Sequence, residues 1–318
     1  MSARTVRLGT RASALALWQA RHVAEALAAQ RGAPAVELVH IRTAGDEQTE
    51  LPLWRAGGKA FFTKEIDRAL LDGSVDLAVH SLKDLATSLD EGLTLAATLA
   101  RADPRDALLS RDGAPLAALP AGARVGTSSL RRRAFLSRAR PDLKHVELRG
   151  NVPTRIRRLQ EGDYDAIILA AAGVARLELA AHVSELLPTE QFPPAASQGV
   201  IGVCCRAGDA ATLRLLLPLD DREAHLASAA ERALLRRIEG GCQVPLGALA
   251  TVNDRLLRLS ASVCALDGSR HLSASGSGPA TPKDAEALGE RVAEELLARG
   301  AGELIKSERA RLAVGPTP

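Results

Sequence analysis

One local pattern occurs twice in this chain, and it limits the fold more than any other feature. Near the start, VRLGTRASALALWQARHVAEAL reads as a short strand, a Gly-Thr turn, a serine and then a helix with apolar residues at helical spacing. The same order returns at ARVGTSSLRRRAFL. Each copy continues into a second strand and polar loop, VELVHIRTAGD and HVELRGNVPTR, and then into a helix ending at glycine, FTKEIDRALLDG and TRIRRLQEG. A third strand starts after aspartate in both, as SVDLAVHS and DYDAIILA. Gly9 and Gly126 are 117 positions apart while Asp76 and Asp165 are 89 apart, so the copies share an architecture without being a strict repeat. Strands alternating with helices imply parallel sheets covered by helices, and two copies imply two α/β lobes.

After Pro218 the pattern changes. A long amphipathic helix, DREAHLASAAERALLRRIEGG, ends at a glycine pair, and the segment beyond it carries Asn-Asp and Asp-Gly turn signals of the kind that join hairpin strands. This predicts a three-stranded antiparallel meander. The last helix has Thr281 as N-cap, Pro282 at its first position and Asp284 completing a box-like start, so a small α+β domain closes the chain. A length of 318 residues, 46% hydrophobic and 25% charged, accommodates two or three such units of an ordinary soluble protein.

In α/β lobes the turns after strand C-terminal ends meet helix N-termini, where free backbone N–H groups and the helix dipole favour anions. Thr or Ser at such a turn is most often only an N-cap. Here both turns are present, and the second is followed by arginines. Residues 124 to 158 hold ten arginines and one lysine against Asp142 and Glu147, a local balance of +9 in a chain whose formal charge is +3. Arg149 and Arg155 leave from comparable positions, and guanidinium forks suit carboxylates and phosphates. P-loop spacing and the Rossmann glycine fingerprint are both missing, so a nucleotide is not indicated. With 2% aromatic residues the chain lacks the rings on which single-stranded bases stack, which disfavours a nucleic-acid role.

LAVHSLKDLATS places Lys83 and Asp84 where an apolar strand meets a loop. Such a pair is usually a solvated turn. Facing an arginine-lined cleft, however, the carboxylate can stabilise a developing cation or exchange a proton. Cys204 and Cys205 lie in the apolar run GVIGVCC and Cys264 in a strand-like segment, so neither metal-ligand spacing nor a disulfide framework is expected. Cys242, in RIEGGCQVP, follows a helix C-terminus, whose negative end does not activate a thiolate. An exposed covalent attachment point fits it better than a nucleophile. On these residues alone a two-lobed anion-binding protein and an RNA-binding module stay open, and neither requires Asp84 or Cys242.

The motifs GTRASALALWQA, GGKAFFTKE, DLAVHSLKD, DPRDALLS, LPAGARVGTSSLRRR, RPDL, LRGNVPTR, YDAIILAAAG, QG at Gln198 and EGGCQVP, in this order, resemble the porphobilinogen deaminase (hydroxymethylbilane synthase) family along essentially the whole chain. The resemblance implies two similar periplasmic-binding-protein-like α/β lobes plus a small α+β C-terminal domain. Lobe 1 is expected over residues 1–99 with a return segment 200–217, lobe 2 over 100–199, and the domain of cofactor attachment over 218–318. It implies a transferase of heme biosynthesis that condenses four porphobilinogen molecules on a dipyrromethane cofactor held by a thioether at Cys242. Asp84 is then the catalytic carboxylate. Lys83, Ser129, Arg131, Arg132, Arg149 and Arg155 bind the cofactor, and Arg11, Ser13, Arg149, Arg155 and Arg176 bind substrate. The implied partners are porphobilinogen and a downstream tetrapyrrole enzyme, with no metal, nucleic acid or membrane, and the chain is expected to be a monomer.

Three positions depart from the family's usual pattern: Ala60-Phe61-Phe62 after Gly-Gly-Lys, Leu85-Ala86 where Val-Pro usually follows Lys-Asp, and Ser197 where glycine usually precedes Gln-Gly. The N-terminus lacks the apolar segment of a signal peptide, and the longest apolar run, AIILAAAGVA, is too short to span a bilayer, so a cytoplasmic protein is expected.

Overall fold

The computed structural model describes residues 5–32, 34–47, 63–238 and 244–314. Three sheets organise them. The first contains β1 (Val6–Thr10), β2 (Val36–His40), β3 (Leu77–Ser81), β4 (Leu93–Thr98) and β10 (Ile201–Arg206), in the order β2-β1-β3-β10-β4. The second contains β5 (Asp106–Ser110), β6 (Arg124–Gly126), β7 (Lys144–Val146), β8 (Ala166–Ala170) and β9 (Glu185–Leu187), in the order β7-β6-β8-β5-β9. Strand for strand, the two orders are the same.

The likeness extends to single atoms. Arg7 N donates to Asp76 Oδ2 at 2.9 Å, and Arg124 N donates to Asp165 Oδ2 at 2.7 Å. The guanidinium of each arginine also reaches a glycine carbonyl, Gly73 O at 2.6 Å and Gly162 O at 2.7 Å. In each lobe, therefore, the aspartate before the third strand ties that strand to the start of the first. The glycine of the second Gly-Thr turn is required by close packing, since a Cβ on Gly126 would stand 2.8 Å from Tyr164 Cδ1.

The sheets are not wholly parallel, as the alternating pattern implied. β1, β2 and β3 run parallel, as do β6, β7 and β8, but β10 pairs antiparallel with β3 and β5 antiparallel with β8. The cause is the route of the chain. β5 follows β4 of the first sheet, and β10 follows β9 of the second, so each enters its sheet from a crossing between lobes. Each begins beside the C-terminal end of its neighbour: Asp106 pairs with Ala170, and Ile201 with Ser81. The crossings touch where Ala102 N donates to Gly199 O at 3.2 Å. Gly199 has φ +91, and a Cβ there would stand 2.5 Å from Ala102 O, so the contact needs glycine on both counts.

The third sheet is the antiparallel meander β11 (Leu246–Asn253), β12 (Leu256–Cys264) and β13 (His271–Pro279). Its first turn places Asp254 and Arg255 at φ 49 and 64, the left-handed pair of a two-residue hairpin loop. Helices Arg222–Arg237 and Pro282–Ala298 cover it, burying Leu226, Ala230, Leu234, Leu288, Val292 and Leu296 against the sheet's apolar face. Thr281 caps the second helix by accepting from Asp284 N. From the first helix Glu231, fully buried, accepts from Arg101 Nη1 at 2.6 Å, Ser197 N at 2.5 Å and Ala250 N at 2.7 Å. One carboxylate thus fastens both crossings to β11.

Candidate active site

A cleft opens between the first two sheets at the C-terminal ends of β3 and β8. Ser81 and Lys83 line it from one side, Leu169 and Ala170 from the other, and Gly199 and Val200 of a crossing form part of its wall. Leu15 and Arg132 enter from the first turns of helices Ala14–Ala28 and Leu130–Ala139, which follow the two Gly-Thr turns. Those helices are capped by Ser13, whose Oγ accepts from Ala16 N at 3.3 Å, and by Ser129, whose Oγ accepts from Arg132 N at 3.4 Å. Asn151 caps helix Val152–Gln160 and so sets Arg155 facing the cleft. Arg176 ends the short helix Ala171–Arg176.

Lys83, Arg132, Arg155 and Arg176 therefore converge on one space. Burial pushes the Lys83 ammonium down to about 8, Asp84 opposes the shift and Arg132 adds to it. Burial lowers Arg155 to about 10, reinforced by Arg132 and Arg149, and lowers Arg176 to about 10. Poorly hydrated cations facing one another favour an anion between them.

Arg131 and Arg132 already share a carboxylate. Asp106, fully buried, accepts from Arg131 Nη1 at 2.7 Å and from Arg132 Nη2 at 2.8 Å. Burial alone would raise its carboxyl, but the two guanidiniums outweigh that and hold it below the usual carboxylate range. Gln198 donates from Nε2 to Asp106 Oδ1 at 2.9 Å and accepts at Oε1 from Lys83 Nζ at 3.3 Å. A polar chain from Lys83 through Gln198 and Asp106 to Arg132 thus crosses from one lobe to the other. The site candidates read from the sequence did not include Asp106 or Gln198. The signal for Asp106 was available, because two adjacent arginines in a buried first helical turn require a counter-charge.

Asp84 closes the 3-10 turn Leu82–Asp84, which is held to the crossing by Leu82 N donating to Val200 O at 3.0 Å. It is half-buried, and its charge acts on both Lys83 and Arg155. Arg176 donates from Nη2 to Gly199 O at 2.7 Å and lies 5.7 Å from the Trp18 ring, which itself stacks on His22. Of the residues expected from the sequence, Arg11, Ser13, Asp84, Ser129, Arg131 and Arg149 do not line this cleft. Arg149 is half-buried, and burial lowers it against the opposing charge of Glu147.

Cys242 and Ala60-Phe61-Phe62 lie outside the described residues. Cys204, Cys205 and Cys264 are free and buried, and burial pushes their thiols up to about 12, 11 and 11. Among the described residues no group of three His, Cys, Asp or Glu side chains could hold a metal ion, and no helix is long and apolar enough to cross a membrane.

Residues 6–214 match the family described as "Porphobilinogen deaminase, dipyromethane cofactor binding domain", and residues 225–298 match "Porphobilinogen deaminase, C-terminal domain". The porphobilinogen deaminase of Syntrophotalea carbinolica is 49% identical over 318 residues, which cover 100% of this chain and 99% of that protein. That of a Roseiflexus species is 51% identical, covering 95% of this chain and 98% of that one, and that of Moorella thermoacetica is 48% identical, covering 96% and 97%. Among solved structures, the methionine-binding protein MetQ aligns with a TM-score of 0.43 at 16% identity, over 68% of this chain and 89% of that one, too slight a likeness to build on. With both of its parts matched and near-full-length relatives at about half identity, this chain belongs to the porphobilinogen deaminase family.

Proposed function

We propose that this chain is a hydroxymethylbilane synthase in which Asp84 is the catalytic carboxylate and Cys242 carries the dipyrromethane. The observation that carries the residue assignment is the convergence of Lys83, Arg132, Arg155 and Arg176 on a cleft beside Asp84. Porphobilinogen is a pyrrole with acetate and propionate arms, and a cleft lined by four cations fits both it and a dipyrromethane bearing the same arms. When bound, the dipyrromethane supplies the nucleophilic pyrrole carbon from which the chain grows.

The protein's own groups do the rest. Lys83, Arg155 and Arg176 bind carboxylate arms and fix the substrate's orientation, while Arg132 adds charge but is already partly neutralised by Asp106. Ser129, Arg131 and Arg149 contribute to holding the cofactor, Arg131 with its guanidinium already on Asp106 and Pro193 O, and Arg11, Ser13 and Arg149 bind the substrate's arms. Asp84 accepts the pyrrole N–H of the substrate and stabilises the positive charge left on its methylene as ammonia departs, then takes part in removing the proton displaced by the new C–C bond. Repeated four times and ended by water, this gives hydroxymethylbilane, with one ammonia released per substrate.

Three cysteines are buried with raised thiols, which supports Cys242 as the attachment point. We also assign lobe 1 to residues 1–99 with 200–217, lobe 2 to 100–199 and the attachment domain to 218–318, in a cytoplasmic monomer that passes its product to a downstream tetrapyrrole enzyme. Asp84→Asn tests the central residue, because it keeps the shape and removes the charge. The turnover of cofactor-loaded enzyme should fall roughly 100- to 1000-fold. A rate near the parent's overturns the assignment.

A further inference from the structure

Arg232 reaches from the helix Arg222–Arg237 to the segment directly after Asp84. Its Nη1 donates to Leu85 O at 3.2 Å and its Nη2 to Ala86 O at 2.6 Å, and the residue is 9% exposed. Within the turn, Leu85 N donates to Leu82 O at 3.2 Å, and Leu85 leaves it in extended conformation with φ −80 and ψ 137. No ring restrains Ala86. Two consecutive carbonyls are thus oriented by one buried guanidinium, whose planar fork pins both at once.

The post on which Arg232 stands is itself fixed. Its neighbour Glu231 holds both crossings and β11, and Ala230 and Leu234 are buried against the third sheet. The same helix gives way at Ile238, four positions before Cys242 in the sequence. One element therefore holds both the crossings between lobes and the segment beside Asp84.

We propose that Arg232 is a positioning residue for the reaction, holding the Leu82–Ala86 segment so that the Asp84 carboxylate keeps its place next to Lys83 at the edge of the cleft. The inference rests on Asp84 being the catalytic carboxylate. Arg232 touches no substrate in this account and acts through the backbone it pins.

Arg232→Met keeps most of the side chain's bulk and removes its donors. The expected result is a kcat, per cofactor-loaded molecule counted by intact mass, lowered by about tenfold or more, since a misplacement on the order of 1 Å is enough to lose that much. The KM for porphobilinogen stays within about twofold, because the arm-binding cations do not move. Leu85 already has the extended backbone that a residue before proline prefers, so Ala86→Pro in the Arg232→Met background should stiffen the same segment and recover much of the kcat. A purely structural staple would lower the yield or melting temperature and leave kcat per loaded molecule at the parent value. That outcome, or a loss that Ala86→Pro does not reduce, overturns the proposal. If Arg232→Met fails to fold, Arg232→Lys, which keeps one donor within reach, is read by the same two criteria. Asp84→Asn in the same assay separates the two claims. A parent-like Asp84→Asn removes the reading beneath the inference, whereas an inactive Asp84→Asn beside a parent-like Arg232→Met removes the inference alone.

Discussion

Arg132 Nη2 lies 2.8 Å from Asp106 Oδ1, with Asp106 fully buried and a second guanidinium, that of Arg131, on the same carboxylate. The basic cluster is therefore not a simple reservoir of free charge. Part of it is neutralised internally, and the neutralising group also orients Gln198, the partner of Lys83.

Asp106→Asn should consequently do more damage than the loss of one surface ion pair. It leaves two buried guanidiniums without a counter-charge, a change that typically destabilises by about 3–5 kcal/mol. Urea unfolding at neutral pH measures it. The Asp106 carboxyl is held below its ordinary range, so its stabilising effect is present above the unfolded carboxylate pKa and is lost only as pH falls through the lower folded value. A loss below about 1 kcal/mol would place the pair among weak surface bridges instead.

Lys83 should set an alkaline limit on catalysis. Its ammonium is charged below about 8 and neutral above, because burial outweighs the help of Asp84. As pH rises through 8 the cleft loses a carboxylate-binding cation, so kcat/KM for porphobilinogen should fall there. Lys83→Arg keeps its charge at higher pH and should move that limb upward. The stability effect has the opposite sign. The unfolded chain binds the proton more tightly than the folded one between pH 8 and the ordinary lysine value, so across that window this residue's contribution favours the native state as pH rises. An alkaline limb unmoved by Lys83→Arg would assign it to another group.

Ser197, at a position where the resemblance leads one to expect glycine, has φ 62, and its buried Oγ has no partner among the described residues. A side chain in that left-handed region costs about 1 kcal/mol or more, and an unsatisfied buried hydroxyl adds to it. Ser197→Gly relieves both and loses roughly 0.5–1 kcal/mol through greater freedom of the unfolded chain. The variant should be as stable as the parent or up to about 1–2 kcal/mol more so, with the Ser197 N bond to Glu231 available to it as before. Destabilisation on urea titration would show that the serine is held by an interaction other than these.

Much of this was legible in order and spacing. The two Gly-Thr turns with their serine caps, the aspartates before β3 and β8, and the Thr281 cap follow from local chemistry, and the structure places each where that chemistry requires. What was hidden depends on distant partners. DALLS and IGVCCR read as buried strands, but nothing within either run reveals that it joins its sheet antiparallel after a crossing. Likewise Glu231 and Arg232 are two charges on an amphipathic helix, indistinguishable in sequence from solvated ones. Only the fold shows that one holds the crossings and the other the segment after Asp84.

The most direct measurement is the mass of the intact purified protein, followed by peptide mapping. If Cys242 anchors the cofactor, the protein is heavier than its sequence by two linked pyrrole units, the added mass falls on the peptide containing Cys242, and Cys242→Ser lacks it. With the cleft's cations left facing one another, that variant also melts earlier and is cleaved more readily by protease. Fully active protein of unmodified mass, or an adduct on Cys204, Cys205 or Cys264, would contradict the account.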